Sequence, residues 1–284
     1  MSVNILYCEG GRQSFDIRVL SKILEDACTL ETMGSKYGFE NRVILVRKLQ
    51  SKSVIAGLKD RDFDDDNSPP QLRPREWFFR DNQDRVQIGW SWERKEIENY
   101  LIDPEVVRKS LGKKAPPLDE YCEALKKSAE AIADYTAARI ALSLSRVQLL
   151  PLNNNWGEKR WGFIFPESLT EADCRQQICQ IVKDYEQSQT IQEAIVLNKF
   201  DEFLSTCRPG GVRFENQNYL TFFAGKDLLG GMQAALNDFG LGTPSDFRER
   251  IIVGINKSPE DVWTWLPEWG KLRELIRDFN SDPS

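Results

Sequence analysis

The sequence predicts an α/β fold, a parallel sheet flanked by helices, with a mostly helical C-terminal portion. Three observations predict it. Short apolar runs alternate with amphipathic stretches from Val3 to Leu58, a stretch rich in Ala, Leu, Lys and Glu runs at helical spacing from Leu118 to Leu149, and helical periodicity continues to Phe279. Strands alternating with helices favour parallel pairing through right-handed crossovers. The division this implies is an α/β domain over residues 1–112 and a helical portion over residues 113–284 packed on it.

Val3-Asn4-Ile5-Leu6-Tyr7-Cys8, closed by the turn signal Glu9-Gly10-Gly11, reads as the first strand. Ser14 caps a helix whose apolar positions Ile17, Leu20, Ile23, Leu24 and Ala27 recur at three- and four-residue spacing. Thr29 to Met33 reads as a second strand, Phe39 to Leu49 as a second helix and Ser53 to Leu58 as a third strand. A Pro-containing loop, Ser68-Pro69-Pro70 to Pro74, leads to an aromatic hairpin from Trp77 to Trp92 that turns at Asp81-Asn82-Gln83-Asp84. The long helix over 118–149 ends at Pro151, and further helices are predicted over 170–188, 190–206, 226–239, 245–252 and between Pro267 and Phe279.

Composition narrows the chemistry. The chain of 284 residues holds 38 Lys and Arg, 44 Asp and Glu, six Cys and no histidine. Without histidine, Ser-His-Asp and Cys-His pairs, HExxH zinc sites and His-dependent nucleases are excluded, so catalysis must run on carboxylates, lysines and hydroxyls. A net charge of -6 argues against gripping nucleic acid by bulk positive charge, though not against a local basic groove. No apolar stretch approaches the ~20 residues of a membrane span, and the start Met-Ser-Val-Asn-Ile lacks a signal-peptide layout, so a cytoplasmic protein is expected. Cys8, Cys28, Cys122, Cys174, Cys179 and Cys207 contain no CxxC pair and read as free thiols, mostly filling the core.

In parallel sheets, functional groups gather at the carboxyl ends of the strands. Glu9 ends the first strand, and Asp60 and Asp62 follow the third. Asp60-Arg61-Asp62-Phe63-Asp64-Asp65-Asp66 sets five carboxylates within seven residues, crowding that a cation relieves unless the run is simply a solvated loop. An EF-hand fails, with Asp65 where Gly is required and Gln71 where Glu is required. A haloacid-dehalogenase-type phosphatase also uses Asp-x-Asp after a strand, but normally with Thr or Val at the position of Asp64. Glu9 opposite such an Asp-x-Asp can hold one or two divalent ions against a phosphodiester. Asp16, in the first turn of the first helix, either joins them or complements the helix dipole.

Tyr7-Cys8-Glu9-Gly10 followed by Asp60-Arg61-Asp62 resembles the Toprim domain shared by topoisomerases, primases and OLD nucleases. Glu93-Arg94-Lys95-Glu96-Ile97-Glu98-Asn99-Tyr100-Leu101 is similar to the Glu-Ile-Glu-Asn-Tyr-Leu signature of an OLD-related Toprim family, and Phe223-Ala224-Gly225-Lys226-Asp227 to its Gly-Lys segment. That family includes the nuclease effector of the PARIS anti-phage system, whose partner is an ABC-type ATPase. The resemblance implies Mg²⁺ or Mn²⁺ on Glu9, Asp60 and Asp62, with Glu98 and Asp16 as further candidate ligands. Lys226 then stabilises charge on the scissile phosphate. It also implies a toxic endonuclease acting on nucleic acid, with RNA and tRNA in particular favoured. Homodimers are frequent among such effectors.

Several alternatives stay open at this level. Glu98 and Asn99 either serve the metal or cap and orient a helix, whereas Tyr100 and Leu101 read as core. Gly225-Lys226 is no P-loop, because Leu220 stands where its first Gly belongs and Asp227 replaces Ser or Thr. Arg42, Arg47, Lys48, Arg73 and Arg75 either track a phosphate backbone or form solvated faces, as do Lys113, Lys114, Lys126 and Lys127. Trp263, Trp265 and Trp269 read as core or docking residues. A non-catalytic Toprim module that docks an ATPase would carry the same motifs.

Overall fold

A computed structural model describes residues 2–33, 38–50, 53–81, 84–145, 156–160, 163–165, 170–188 and 191–279. The elements run β1 (Ile5–Cys8), α1 (Phe15–Leu24), β2 (Thr29–Thr32), α2 (Phe39–Leu49), β3 (Ile55–Lys59), β4 (Arg75–Asp81) and β5 (Asp84–Ser91). Then follow α3 (Ile97–Leu101), α4 (Pro104–Leu111), α5 (Leu118–Leu144), β6 (Glu158–Arg160), β7 (Phe163–Phe165), α6 (Glu171–Ser188) and α7 (Glu193–Cys207). The chain continues through α8 (Tyr219–Phe222), α9 (Gly225–Gly231), α10 (Gln233–Asp238), α11 (Pro244–Lys257) and α12 (Pro267–Arg277).

Five strands form one sheet in the order β2-β1-β3-β5-β4. β1 pairs in parallel with β2 and β3, β3 pairs in parallel with β5, and β4 returns antiparallel along the edge. The fold is the α/β class expected. Period-two alternation sorts β1: Leu6 and Cys8 enter the main core, while Ile5 and Tyr7 pack toward α2 with Phe39, Val43 and Trp77. Both faces are covered, as parallel sheets require. Gly89 has to be glycine where it pairs with Gly57 of β3, since a Cβ on it would fall 1.9 Å from the Gly57 carbonyl oxygen.

Local signals explain the helices that matter here. Ser14 Oγ accepts from the Ile17 N–H at 3.4 Å, and α1 buries Val19, Leu20, Ile23 and Leu24. The main core is continuous from Val3 to Phe279 and draws on α1, α4, α5, α9, α11 and α12 together. Val3 N–H donates to the Ile276 carbonyl at 2.8 Å, tying the last helix to the first strand.

Several expectations are corrected. The helix expected over 226–239 is two, because Gly230-Gly231 weakens its middle and Ser128 Oγ donates to the Leu228 carbonyl at 2.6 Å. The long helix ends at Leu144, and Pro151, like Asn82 and Gln83 of the hairpin turn, lies outside the described residues. α4 and the β6–β7 ladder add to the elements expected from the sequence, and α3 is the helix that Glu98 and Asn99 were open to orienting. All six cysteines are free; Cys8 and Cys207 are buried and Cys28 packs against the same core, so half of them, and not most, fill it. Trp265 and Trp269 are buried and Trp263 packs against the same core.

Candidate active site

The β1–β3 register sets Cys8 beside Leu58, which brings the next residues, Glu9 and then Asp60, to one edge of the sheet. Gly10 makes the turn out of β1 possible: its φ is +86°, and a Cβ there would meet Ser14 at 2.9 Å. That turn returns the chain as α1, whose first turn carries Asp16. A cleft of about 630 Å³ at this edge is lined by Glu9, Asp60, Asp62, Lys95, Glu96 and Arg139, among others. A larger groove of about 820 Å³ between α4 and α11 holds none of the predicted site residues.

The acids of this edge share one electrostatic field. Burial pushes Asp60 well above the usual carboxylate range, with Asp16, Glu9 and Glu96 adding to the rise and Lys226 opposing it. Burial likewise pushes Asp16 up to about 6, with Glu98 adding to the rise, and its own backbone hydrogen bond and Lys226 opposing. Like charges held out of water resist ionisation in this way. Asp62 is exposed on the same cleft, and its charge acts on Lys95.

The rest of the acidic run is relieved by arginines. Arg61 is buried, donates from Nε to Asp64 at 2.7 Å, and reaches the Glu93 carbonyl at 3.0 Å. Arg75 donates to Glu93 at 2.6 Å and to Asp66 at 2.7 Å. Ser68 and Arg75 hold Asp66 well below the usual range against the opposing effect of its burial. Arg213, also buried, pins the loop from outside through Asn67 Oδ1 at 2.6 Å and the Asp64 carbonyl at 2.8 Å. Arg75 is thus a structural ion-pair partner, not a free basic residue. Arg47 donates to the Ile55 and Gln87 carbonyls and the exposed Arg42 to the Met33 carbonyl, so both are tied to backbone and not to an acid in these contacts.

The two downstream motifs meet as one unit. Asn99, fully buried, donates to the Leu220 and Phe223 carbonyls at 2.9 and 2.8 Å and accepts from the Glu96 and Gly225 N–H groups, each at 3.1 Å. Asn99 therefore orients backbone, while Tyr100 and Leu101 are core. Gly225 has to be glycine, because a Cβ would sit 2.5 Å from Asn99 N. Lys226 donates from its backbone N–H to Glu96 Oε1 and from Nζ to Glu96 Oε2, both at 2.8 Å. Its ammonium also lies 3.3 Å from Glu98 Oε2, whose other oxygen is 2.9 Å from Arg248 Nη1. Burial alone lowers the Lys226 pKa, and Glu96 and Glu98 more than reverse that, so it stays charged.

No family model matches the chain, and no match was found among curated proteins. Glu9, Asp16, Asp60 and Lys226 come together electrostatically, Asp62 borders the same cleft, and Glu98 faces two cations. Sequence reasoning passed over Glu96, Lys95, Arg139 and Arg248. Glu96 had a signal, since a residue just before a short helix with Asn three positions on has the spacing of a capping pair. Arg248 had none, because only the fold brings α11 to Glu98.

Among the described residues, no three acidic or thiol groups form a ready-made chelate. The donor set still fits a hard divalent cation, consisting of oxygen donors, crowded and partly desolvated, whose mutual repulsion such an ion would relieve. Glu9, Asp60 and Asp16 are the residues that would hold it, with Asp62 beside them.

Proposed function

We propose that the protein is a metal-dependent Toprim-type nuclease that hydrolyses phosphodiester bonds. The observation that carries the reading is the shared field of Glu9, Asp16, Asp60 and Glu96 at the carboxyl edge of the sheet, with Lys226 facing the same acids. Mg²⁺ or Mn²⁺, when bound, supplies Lewis-acid stabilisation of the phosphate and lowers the pKa of a bound water. Glu9, Asp60 and Asp16 would hold that ion, with Asp62 and Glu98 completing the acidic surround. Lys226, kept charged by Glu96 and Glu98, faces the negative charge that builds on the phosphate oxygens.

The wider assignment follows from the sequence resemblance. RNA, with tRNA favoured, is the proposed substrate, and the proposed role is that of a toxic effector in cytoplasmic anti-phage defence. An ABC-type ATPase is the proposed partner, since Gly225-Lys226 is no P-loop, and a homodimer is the proposed assembly. No helix among the described residues is long and apolar enough to cross a membrane, which is compatible with that setting.

The test is direct. Purified protein with Mg²⁺ or Mn²⁺ cuts RNA, and Glu9→Ala abolishes the cutting; equal activity in the variant would end the assignment. Turnover of a small phosphomonoester, lost in Asp60→Asn, identifies a phosphatase instead. Absence of divalent-ion binding by calorimetry identifies a non-catalytic binding module.

A further inference from the structure

Among the described residues, the cations in and near the cleft are, with one exception, engaged within the protein. Arg61 is held by Asp64 and the Glu93 carbonyl, Arg139 by Asp227, and Lys226 by Glu96 and Glu98. Lys95 differs. Its side chain lines the cleft and is more than nine-tenths buried, yet Nζ has no hydrogen-bond partner among the described residues. An ammonium carries three donors and no acceptor, so a buried one without a partner lacks the groups that normally replace its water.

Its surroundings indicate what is missing. Nζ rests 3.5 Å from the centroid of the Phe63 ring, and the Arg139 guanidinium carbon lies 4.9 Å from the same centroid. The aromatic ring thus has two cations close to it, which attracts each of them but satisfies no N–H donor. The Lys95 backbone is fixed, because its carbonyl accepts from the Arg61 N–H at 3.1 Å. Lys95, Phe63 and Arg139 line the same cleft as Glu9 and Asp60, so its wall carries cations as well as acids.

We propose that Lys95, supported by Phe63 and Arg139, forms an anion subsite that receives a phosphate group in the cleft, next to the one at the acidic edge. The inference rests on the nuclease reading for its natural ligand, a backbone phosphate of the nucleic acid. The chemistry it needs is only that of a phosphate oxyanion. Burial also draws the Lys95 pKa down to about 7, against the opposing pull of Asp62, Asp64 and Glu96, and a bound anion would reverse that loss of charge.

Lys95→Met keeps the length of the stem beside Phe63 and removes the ammonium. The experiment measures binding of a short single-stranded RNA and, separately, of inorganic pyrophosphate to the full chain in EDTA, where metal-dependent cleavage is switched off. The variant is expected to bind RNA about tenfold more weakly, the loss of one charge-assisted contact. The slope of log affinity against log salt should also fall by about 0.7. A Lys95 dependence seen with pyrophosphate but not with RNA supports the subsite and assigns it to a free phosphate compound. Affinities unchanged for both ligands overturn it.

A second measurement needs no variant. RNA or pyrophosphate should protect Lys95 of the unaltered protein from acetic anhydride, read by mass spectrometry of its peptide, and equal labelling with and without both ligands overturns the subsite. The two readings fail separately. Lys95-dependent binding without cleavage in Mg²⁺ removes the nuclease and keeps the subsite. Cleavage whose KM and binding ignore Lys95→Met does the reverse.

Discussion

Asn99 and Gly225 stand 126 positions apart in the chain, and the Gly225 N–H donates to Asn99 Oδ1 over 3.1 Å. The same amide holds the Leu220 and Phe223 carbonyls, so one side chain joins α3 to the turn that launches α9. Through that joint the acids of 96–98 and the lysine at 226 come face to face.

Asn99→Ala should therefore cost stability well beyond the loss of one hydrogen bond. It leaves buried Gly225 N–H and two carbonyls without this partner, and unsatisfied buried groups cost about 1–3 kcal/mol each. A loss of about 3 kcal/mol in urea denaturation is expected, and a loss under about 1 kcal/mol would show that the joint is dispensable.

Two glycines of α9 should respond in opposite directions. Gly225→Ala places a Cβ against the backbone of Glu98 and Asn99 and should destabilise by about 1–3 kcal/mol. Gly230→Ala meets nothing within 4 Å on an exposed helical position and should stabilise by about 0.5–1 kcal/mol. Thermal melts of the pair check the contrast.

Glu268 gives a pH dependence whose sign can be worked out. Burial pushes it up to about 7 from an ordinary 4.5, even though it accepts from the Glu93 N–H at 2.8 Å. A folded-state pKa above the unfolded one means that the stabilisation is fully present below pH 4.5 and is lost as pH rises through about 7. The stability of the wild type relative to Glu268→Gln should then fall by about 3 kcal/mol across that window. A difference that stays flat from pH 4 to 8 would contradict it.

Arg213→Met tests what holds the acidic loop. The methionine keeps an apolar stem between Phe203 and Phe222, whose ring centroids each lie 4.9 Å from the guanidinium carbon, but drops the bonds to Asn67 and the Asp64 carbonyl. Amides over 62–68 should exchange hydrogen faster, and kcat of the proposed cleavage should fall more than KM rises. Unchanged exchange would place the control of the loop elsewhere.

How much of this was legible in the sequence depends on the range of the interaction. β1, α1, β2, α2 and β3 follow from periodicity and from caps such as Ser14, which act over a few residues. Glu9, Asp60 and Asp62 followed from the rule about strand ends and from motif resemblance. Glu93 was not legible: it is a fully buried acid only because Arg61 and Arg75 arrive from two other segments. Lys95 was hidden for the same reason, since the Phe63 ring that its ammonium rests on comes from another segment. The acidic run was read as one crowd, whereas the fold pairs Asp64 and Asp66 with arginines and leaves the field at Asp60.

The pair of hydrogen bonds from Lys226 to Glu96 has a consequence in time. The chain is made from its amino end, so the acids of the sheet edge and of α3 emerge long before the lysine they face, and α11 with Arg248 comes later still. Until then Glu96 and Glu98 lack the cations that neutralise them in the finished protein, and no growing intermediate holds the whole charge arrangement. For a chain with the proposed toxicity, this order delays assembly of the acidic edge with its cations until α11 has been made.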